Sequence, residues 1–299
     1  MYYQLIFMHK IDKIEGLGTY WWFEFFEEIG DFKKVQSRIL KELEIFEKSY
    51  SRFLENSQIS TLNSQRYLQN PSQELIKLIQ IGLDFYHKTD GYFNPILGGV
   101  LEGLGYDKDY SFALKNQDKI IDGNFEKELF QQVSDPKDFV VFESGKISFA
   151  GRGNWDLGGY GKGFLIDKIG AILESEFGLK NFLINGGGDI LVRGNLPQEI
   201  ILEDPFNPGY ELTKITLQNS ALGASSTQKR TWKDTNSSQI FSHILNPKKM
   251  QTVANVASFV IAKNALEADV LATLACMSKD NSDLIPTLKN QFNFEHLVF

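Results

Sequence analysis

The amino-acid sequence predicts an α+β protein, with mixed sheets and segregated helices in one domain across residues 1–299. Three observations predict this. Strand-like runs lie beside separate helical stretches and do not alternate with them in a regular βαβ repeat. No Pro/Gly-rich linker, internal repeat or low-complexity tract divides the chain. Hydrophobic residues make up 42% against 23% charged, and 24 Phe, 11 Tyr and 4 Trp supply material for a sizeable core.

Residues 19–26 are rich in aromatics and follow the turn signals Gly16 and Gly18, which marks a strand. From 31 to about 50, Val35, Ile39, Leu43 and Phe46 recur at three- and four-residue spacing, as one face of a helix does. A second helix is expected over 74–87, with Leu75, Leu78, Ile79 and Tyr86 on its buried side. Residues 139–149 read as a hairpin turning at Ser144-Gly145. The glycine-rich stretch 158–163 opens onto a helical pattern carried by Leu165, Ile169, Ile172 and Leu173. Two strands flank the turn Gly186-Gly187-Gly188, further strands are expected at 199–202, 212–217, 221–226 and 256–262, and a last helix covers 265–277.

Bulk charge narrows the function. A formal net charge of -7 and a pI near 5.3 argue against a chain that coats nucleic acid or an anionic membrane. A small anionic ligand then needs local dipoles or a metal to hold it. The one cysteine, Cys276, permits neither an internal disulfide nor a cysteine metal cluster. Residues 1–10 have a short apolar segment without a basic flank, a cleavage site or a lipidated cysteine after it, and no run of about 18 apolar residues occurs. The expectation is a cytoplasmic protein with no membrane insertion.

Three constellations carry chemistry. Asp269 interrupts the apolar run 265–277, and Thr273 stands one turn later on the same helix face. This pair is either a hard-oxygen site of the kind that suits Mg²⁺ or a solvated edge of the helix. Asp156-Leu157-Gly158-Gly159-Tyr160-Gly161-Lys162-Gly163-Phe164-Leu165-Ile166-Asp167 sets four glycines and a lysine at a helix start, where free backbone N–H groups attract phosphate. It fits neither the Walker pattern nor the dinucleotide GxGxxG fingerprint, and a plain turn is the other reading. In Ser242-His243-Ile244-Leu245-Asn246-Pro247, His243 is either a general base or a structural histidine.

Taken together, these stretches resemble the FAD:protein FMN transferase (ApbE) family. The Lys162 stretch is similar to the family's "DLGGxxKGxxxD", Ala268-Asp269-Val270-Leu271-Ala272-Thr273 to "ADALAT", and the His243 stretch to "SHIIDP". Ser51-Arg52-Phe53 with Ser57, Ser60 and Leu62-Asn63 resembles a conserved N-terminal segment of the family. Thr89-Asp90-Gly91-Tyr92-Phe93-Asn94-Pro95 through Leu104-Gly105-Tyr106 resembles "GxFDPT…WGF", Leu17-Gly18-Thr19 resembles "MGT", and Asn185-Gly186-Gly187-Gly188-Asp189 resembles "NxGGD". Leu17 departs from the family's Met, Asn94 and Asn246 from its Asp, and Lys248-Lys249-Met250-Gln251 from its "RTG".

The resemblance implies an ApbE-like flavin transferase fold and Mg²⁺-dependent transfer of FMN from FAD to a Ser or Thr hydroxyl of a target protein, with release of AMP. It implies that Asp269 and Thr273 bind Mg²⁺ together with the carbonyls of Gly161 and Ala272, and that His243 and Asp269 act in catalysis. Leu17, Phe53, Asn94, Pro95, Leu104, Asp156, Lys162, Phe164 and His243 are then candidates to hold FAD. The alternatives are a Mg²⁺-dependent FAD pyrophosphatase and a non-catalytic flavin-binding protein. The acceptor is expected to be a separate protein. The nearest match to an acceptor motif, Ala221-Leu222-Gly223-Ala224-Ser225-Ser226, has Leu222 at the attachment position, without a hydroxyl.

Overall fold

A computed structural model describes residues 8–109, 111–115, 125–136, 140–233 and 239–299. Residues 1–7 of the N-terminal apolar segment and Phe139 at the start of the expected hairpin lie outside them. The strands β1 (His9–Gly16) and β2 (Thr19–Phe25) pair across the turn Leu17-Gly18. Helix α1 (Phe32–Tyr50) begins where the Asp31 side chain accepts the Lys34 N–H, and it buries Val35, Ile39, Leu43 and Phe46 as the periodicity requires. Ser57 and Ser72 cap α2 (Gln58–Gln65) and, after β3 (Tyr67–Gln69), α3 (Gln73–Lys88) in the same way. In α3 the fully buried aromatic is Phe85 and not Tyr86, because the buried stripe runs through Leu75, Leu78, Ile79, Gly82 and Phe85.

Short helices α4 (Gly98–Gly103) and α5 (Phe125–Gln131) come next, and β4 (Val140–Glu143) and β5 (Lys146–Phe149) form the expected hairpin, extended by β3. Helix α6 (Gly161–Phe177) leads into β6 (Phe182–Gly186) and β7 (Asp189–Arg193). The hairpin β8 (Gln198–Glu203) and β9 (Glu211–Leu217) precedes β10 (Ser220–Ser226). Small ladders follow, β11 (Thr231–Lys233) with β12 (Ile240–Ser242) and β13 (Leu245–Asn246) with β14 (Gln251–Thr252). The chain closes with β15 (Ala257–Ala262), α7 (Ala265–Met277), α8 (Leu284–Lys289) and β16 (Glu295–Val298).

Seven strands make the central sheet in the order β1-β2-β6-β7-β10-β15-β16, every neighbour antiparallel, so the expected α+β class is the observed one. Helices α6 and α7 pack against each other and against this sheet. α7 is apolar nearly all round, as a helix covered on several sides must be. Two glycines let it come close. A Cβ at Gly223 of β10 would overlap the Ala268 carbonyl, and one at Gly163 of α6 would overlap the Ala265 carbonyl, so α7 lies against bare backbone on both sides. That close approach brings Asp269 into the interior. Among the described residues no helix is long and apolar enough to cross a membrane.

Candidate active site

One end of the sheet gathers the motifs. The N-terminus of α6, the β1–β2 turn, the β6–β7 turn and the end of β10 meet there. Arg230 donates to the Gly18 carbonyl (3.4 Å), and the Ala224 N–H donates to Asp189 (3.0 Å). Each acid of the Asp156–Asp167 stretch has a mechanical task. Asp156 accepts the Gly158 N–H (2.8 Å) and shapes the glycine loop. Asp167, one and a half turns into α6, accepts the N–H groups of Ala265 and Leu266 at 2.9 Å each and so holds the start of α7 against α6. Lys162 and Gly163 between them reach the carboxylates that define the site.

Asp269 is buried, which excludes the solvated-edge reading. Its Oδ2 accepts the Gly163 N–H (3.0 Å), and Lys162 Nζ stands 3.6 Å from its Oδ1. The same ammonium bonds Asp189 Oδ2. Burial and then the Asp189 carboxylate push Asp269 up to about 6, against the pull of Lys162 and the Gly163 N–H. Burial presses Lys162 downward, but Asp189 and Asp269 outweigh it and hold the lysine above its ordinary value. The Thr273 hydroxyl lies 3.4 Å from that of Ser225, one turn along α7 from Asp269. The two carboxylates on one shared ammonium, with Thr273 a turn along α7, are hard oxygen donors of the kind that suits a small divalent cation.

A basic and aromatic wall adjoins them. Arg52 is clamped by Asp156 (3.1 Å), Glu102 (3.3 Å) and the Tyr106 carbonyl (2.9 Å), and its guanidinium lies 4.1 Å from the Phe53 ring centre. Phe53 meets Tyr106 edge-on, Tyr106 stacks on Trp232, and Arg230 donates to the Tyr106 hydroxyl (2.6 Å). His243 lies beside Tyr106, partly exposed as a residue but with a buried Nδ1 that has no hydrogen-bond partner. Its dense surroundings and then the Arg230 charge press its pKa down to about 4, so the imidazole is neutral at physiological pH.

Residues 17–294 match the ApbE family profile. The chain belongs to the ApbE family. A Rhodobacter capsulatus protein named FAD:protein FMN transferase is 27% identical over 208 residues, which are 68% of this chain but only 38% of that relative. The chain thus spans well under half the length of this curated relative. Solved ApbE structures share the fold. The ApbE protein of Thermotoga maritima superposes with a TM-score of 0.82 at 21% identity, covering 97% of this chain and 94% of that one. Flavin transferase ApbE of Vibrio cholerae gives 0.73 at 19%, covering 92% and 91%, and the Pseudomonas stutzeri flavinyl transferase gives 0.73 at 15%, covering 91% and 88%.

The ApbE motifs converge, yet not every expected residue joins the cluster. Asp156, Lys162, His243, Asp269 and Thr273 gather, with Phe53 in the adjoining wall. Asn94 and Pro95 buttress: the Asn94 side-chain oxygen accepts the Ile96 N–H (3.1 Å), and the Pro95 carbonyl accepts the Asp156 N–H (2.9 Å). Leu17 adopts a left-handed φ of 53° and anchors its turn by donating to Glu47 (3.0 Å). Two expectations need correction. Leu104 is fully buried and contributes its carbonyl, which accepts the Trp232 indole N–H (2.8 Å), while Phe164 stacks on Phe46 of α1 in the main core, so neither side chain offers a ligand surface. Gly161 sits at the start of α6, and the Ala272 carbonyl accepts the Ser258 hydroxyl with one of its two lone pairs. At two departures from the family pattern the asparagine side chain serves as a turn acceptor. Asn246 accepts the N–H groups of Lys248 and Lys249 at 3.1 Å each, a turn that needs an oxygen and not a charge, as does the Asn94 turn.

Sequence reasoning assigned no role to Arg52, Tyr106, Asp189, Arg230 and Trp232. Asp189 carried a usable signal, an acid between a glycine turn and the apolar strand β7. Arg230 carried none.

Proposed function

We propose that this chain transfers FMN from FAD to a Ser or Thr hydroxyl of a separate protein, with Mg²⁺ at Asp269 and Thr273. The observation that supports this reading best is the buried pair Asp189 and Asp269, which shares one lysine and so leaves anionic oxygen donors short of positive charge, with Thr273 one turn along α7 from Asp269. In this reading the Asp269 carboxylate and Thr273 hydroxyl hold the cation, with the carbonyls of Gly161 and Ala272 completing the protein's share. A bound Mg²⁺ would neutralise pyrophosphate charge and make the phosphorus more electrophilic.

The protein's own groups do the rest. Lys162 and Arg230 present positive charge to the pyrophosphate. Arg52, braced by Asp156, stiffens the wall that Phe53 and Tyr106 offer to an aromatic ring system. Neutral His243 takes the proton as the acceptor hydroxyl attacks the FMN phosphorus. A new P–O bond forms to the Ser or Thr, the P–O bond to AMP breaks, and AMP leaves. Self-modification is disfavoured, because Leu222 has no hydroxyl and is buried in β10 in the middle of the sheet.

The experiment is incubation with FAD, Mg²⁺ and a flavin-acceptor domain, read by intact mass and by AMP release. A covalent FMN adduct on the acceptor alone, with matching AMP, is the expected result. AMP without an adduct marks a pyrophosphatase, and bound FAD without turnover marks a flavin-binding protein.

A further inference from the structure

The Lys162 cluster has an asymmetry in what holds each group. Asp269 commits Oδ2 to the Gly163 N–H and turns Oδ1 toward Lys162. Asp189 commits Oδ1 to the Ala224 N–H and turns Oδ2 toward the same ammonium. Both carboxylates are therefore pinned to backbone, and their side chains are only 7% and 1% exposed. The Lys162 side chain is 26% exposed and ends a flexible four-carbon stem, so the movable part of the cluster is the cation. It is bonded to Asp189 and only within ion-pair range of Asp269.

We propose that Lys162 is a built-in counter-cation for Asp269, released to Asp189 when a divalent cation arrives, and that Asp189 is the positioning residue that receives it. This rests on the reading that Asp269 takes the divalent cation. Without a metal, two pinned and buried carboxylates need a positive charge, and the ammonium supplies one. When a divalent cation engages Oδ1 of Asp269, the ammonium withdraws from it and keeps its bond to Asp189. Lys162 is then held by one partner, with its other donors available for an anionic ligand. Lys162 thus competes with the metal, and Asp189 weakens that competition.

The test uses the 299-residue chain without flavin. Mg²⁺ affinity is measured by calorimetry and thermal unfolding is followed in EDTA and in saturating Mg²⁺, for wild type, Lys162→Met, Asp189→Asn and the double variant. Lys162→Met is expected to melt below wild type in EDTA, to gain more from Mg²⁺, and to bind Mg²⁺ about tenfold more tightly, since a like charge is removed from beside the ion. Asp189→Asn is expected to weaken Mg²⁺ binding with Lys162 present and to change it little in the Lys162→Met background. Should Lys162→Met fail to fold, NMR of the lysine ammonium groups in the native chain decides: the Lys162 signal shifts on adding Mg²⁺ and the Lys168 signal does not. Identical Mg²⁺ affinity and melting gain in wild type and Lys162→Met, an equal Asp189→Asn effect in both backgrounds, or an unmoved Lys162 signal would overturn the proposal while leaving the flavin-transfer reading standing. No Mg²⁺ binding by wild type would overturn the metal reading and this proposal together.

Discussion

Helix α6 carries two lysines that each sit between two carboxylates, six residues apart, and the two clusters differ in how deeply the carboxylates are buried and in how many cations reach them. Lys168 bridges Glu42 of α1 and Glu74 of α3, and Arg38, which also pairs with Glu176, bonds Glu42 as a second cation. Tyr50 also donates to Glu74 (3.0 Å). Burial pushes Glu42 up, but Arg38 and Lys168 outweigh it and its pKa ends below the ordinary range. At Lys162, Asp189 and Asp269 share one ammonium, and Asp269 ends up at about 6. The Asp pair is also the more deeply buried, at 1% and 7% side-chain exposure against 6% and 20% for Glu42 and Glu74, so burial and the number of cations together separate the clusters. The Lys168 cluster braces three helices, whereas the Lys162 cluster leaves two buried carboxylates on one ammonium.

The largest expected effect separates the clusters by activity. Asp269→Ala should lower the rate of FMN transfer on the order of 10²–10³-fold, the scale of losing one electrostatic stabiliser in a closed site, while circular dichroism and cooperative unfolding stay native. Full activity in this variant would remove the distinction between the clusters. Lys168→Met should do the reverse, costing about 2–3 kcal/mol of unfolding free energy in urea, because Glu42 and Glu74 lose a shared partner in a half-buried setting. Its Mg²⁺ affinity should match wild type.

A pH series sharpens the comparison through His243. Its folded pKa of about 4 lies below the ordinary 6.5, so the unfolded chain binds the extra proton between those values. The stability that depends on neutral His243 is therefore complete above pH 6.5 and is lost as the pH falls toward 4. Melting temperatures of His243→Gln should decline less across that window than those of wild type, and equal declines would contradict the buried, neutral imidazole. The smallest effect is expected for Thr273→Ala. A neutral hydroxyl contributes less than a carboxylate to holding a cation, so Mg²⁺ affinity should fall only several-fold, roughly 3- to 10-fold, as measured by calorimetry.

Helix α7 was legible because a thirteen-residue apolar run can hardly be anything else, and α1 and α3 because their apolar residues repeat at helical spacing. Whether Asp269 was buried was not legible. That depends on Gly163 and Gly223 admitting α7, and on Asp167 capping it from 98 residues away. Strand β1 escaped detection because it lies at a sheet edge and buries only Ile11 and Gly16. The family resemblance places Leu104 and Phe164 in motif stretches but does not say which way a side chain points, and both side chains turn inward. Arg230 reaches Gly18 across 212 residues of chain, a contact that no local pattern encodes.

The most direct measurement of the central claim is a calorimetric Mg²⁺ titration of wild type, Asp269→Asn and Glu42→Gln, each removing one carboxylate charge from one cluster. The account predicts that wild type and Glu42→Gln bind Mg²⁺ with the same affinity and that Asp269→Asn binds none. Retained binding in Asp269→Asn, or its loss in Glu42→Gln, would contradict the assignment of the cation to the Lys162 cluster.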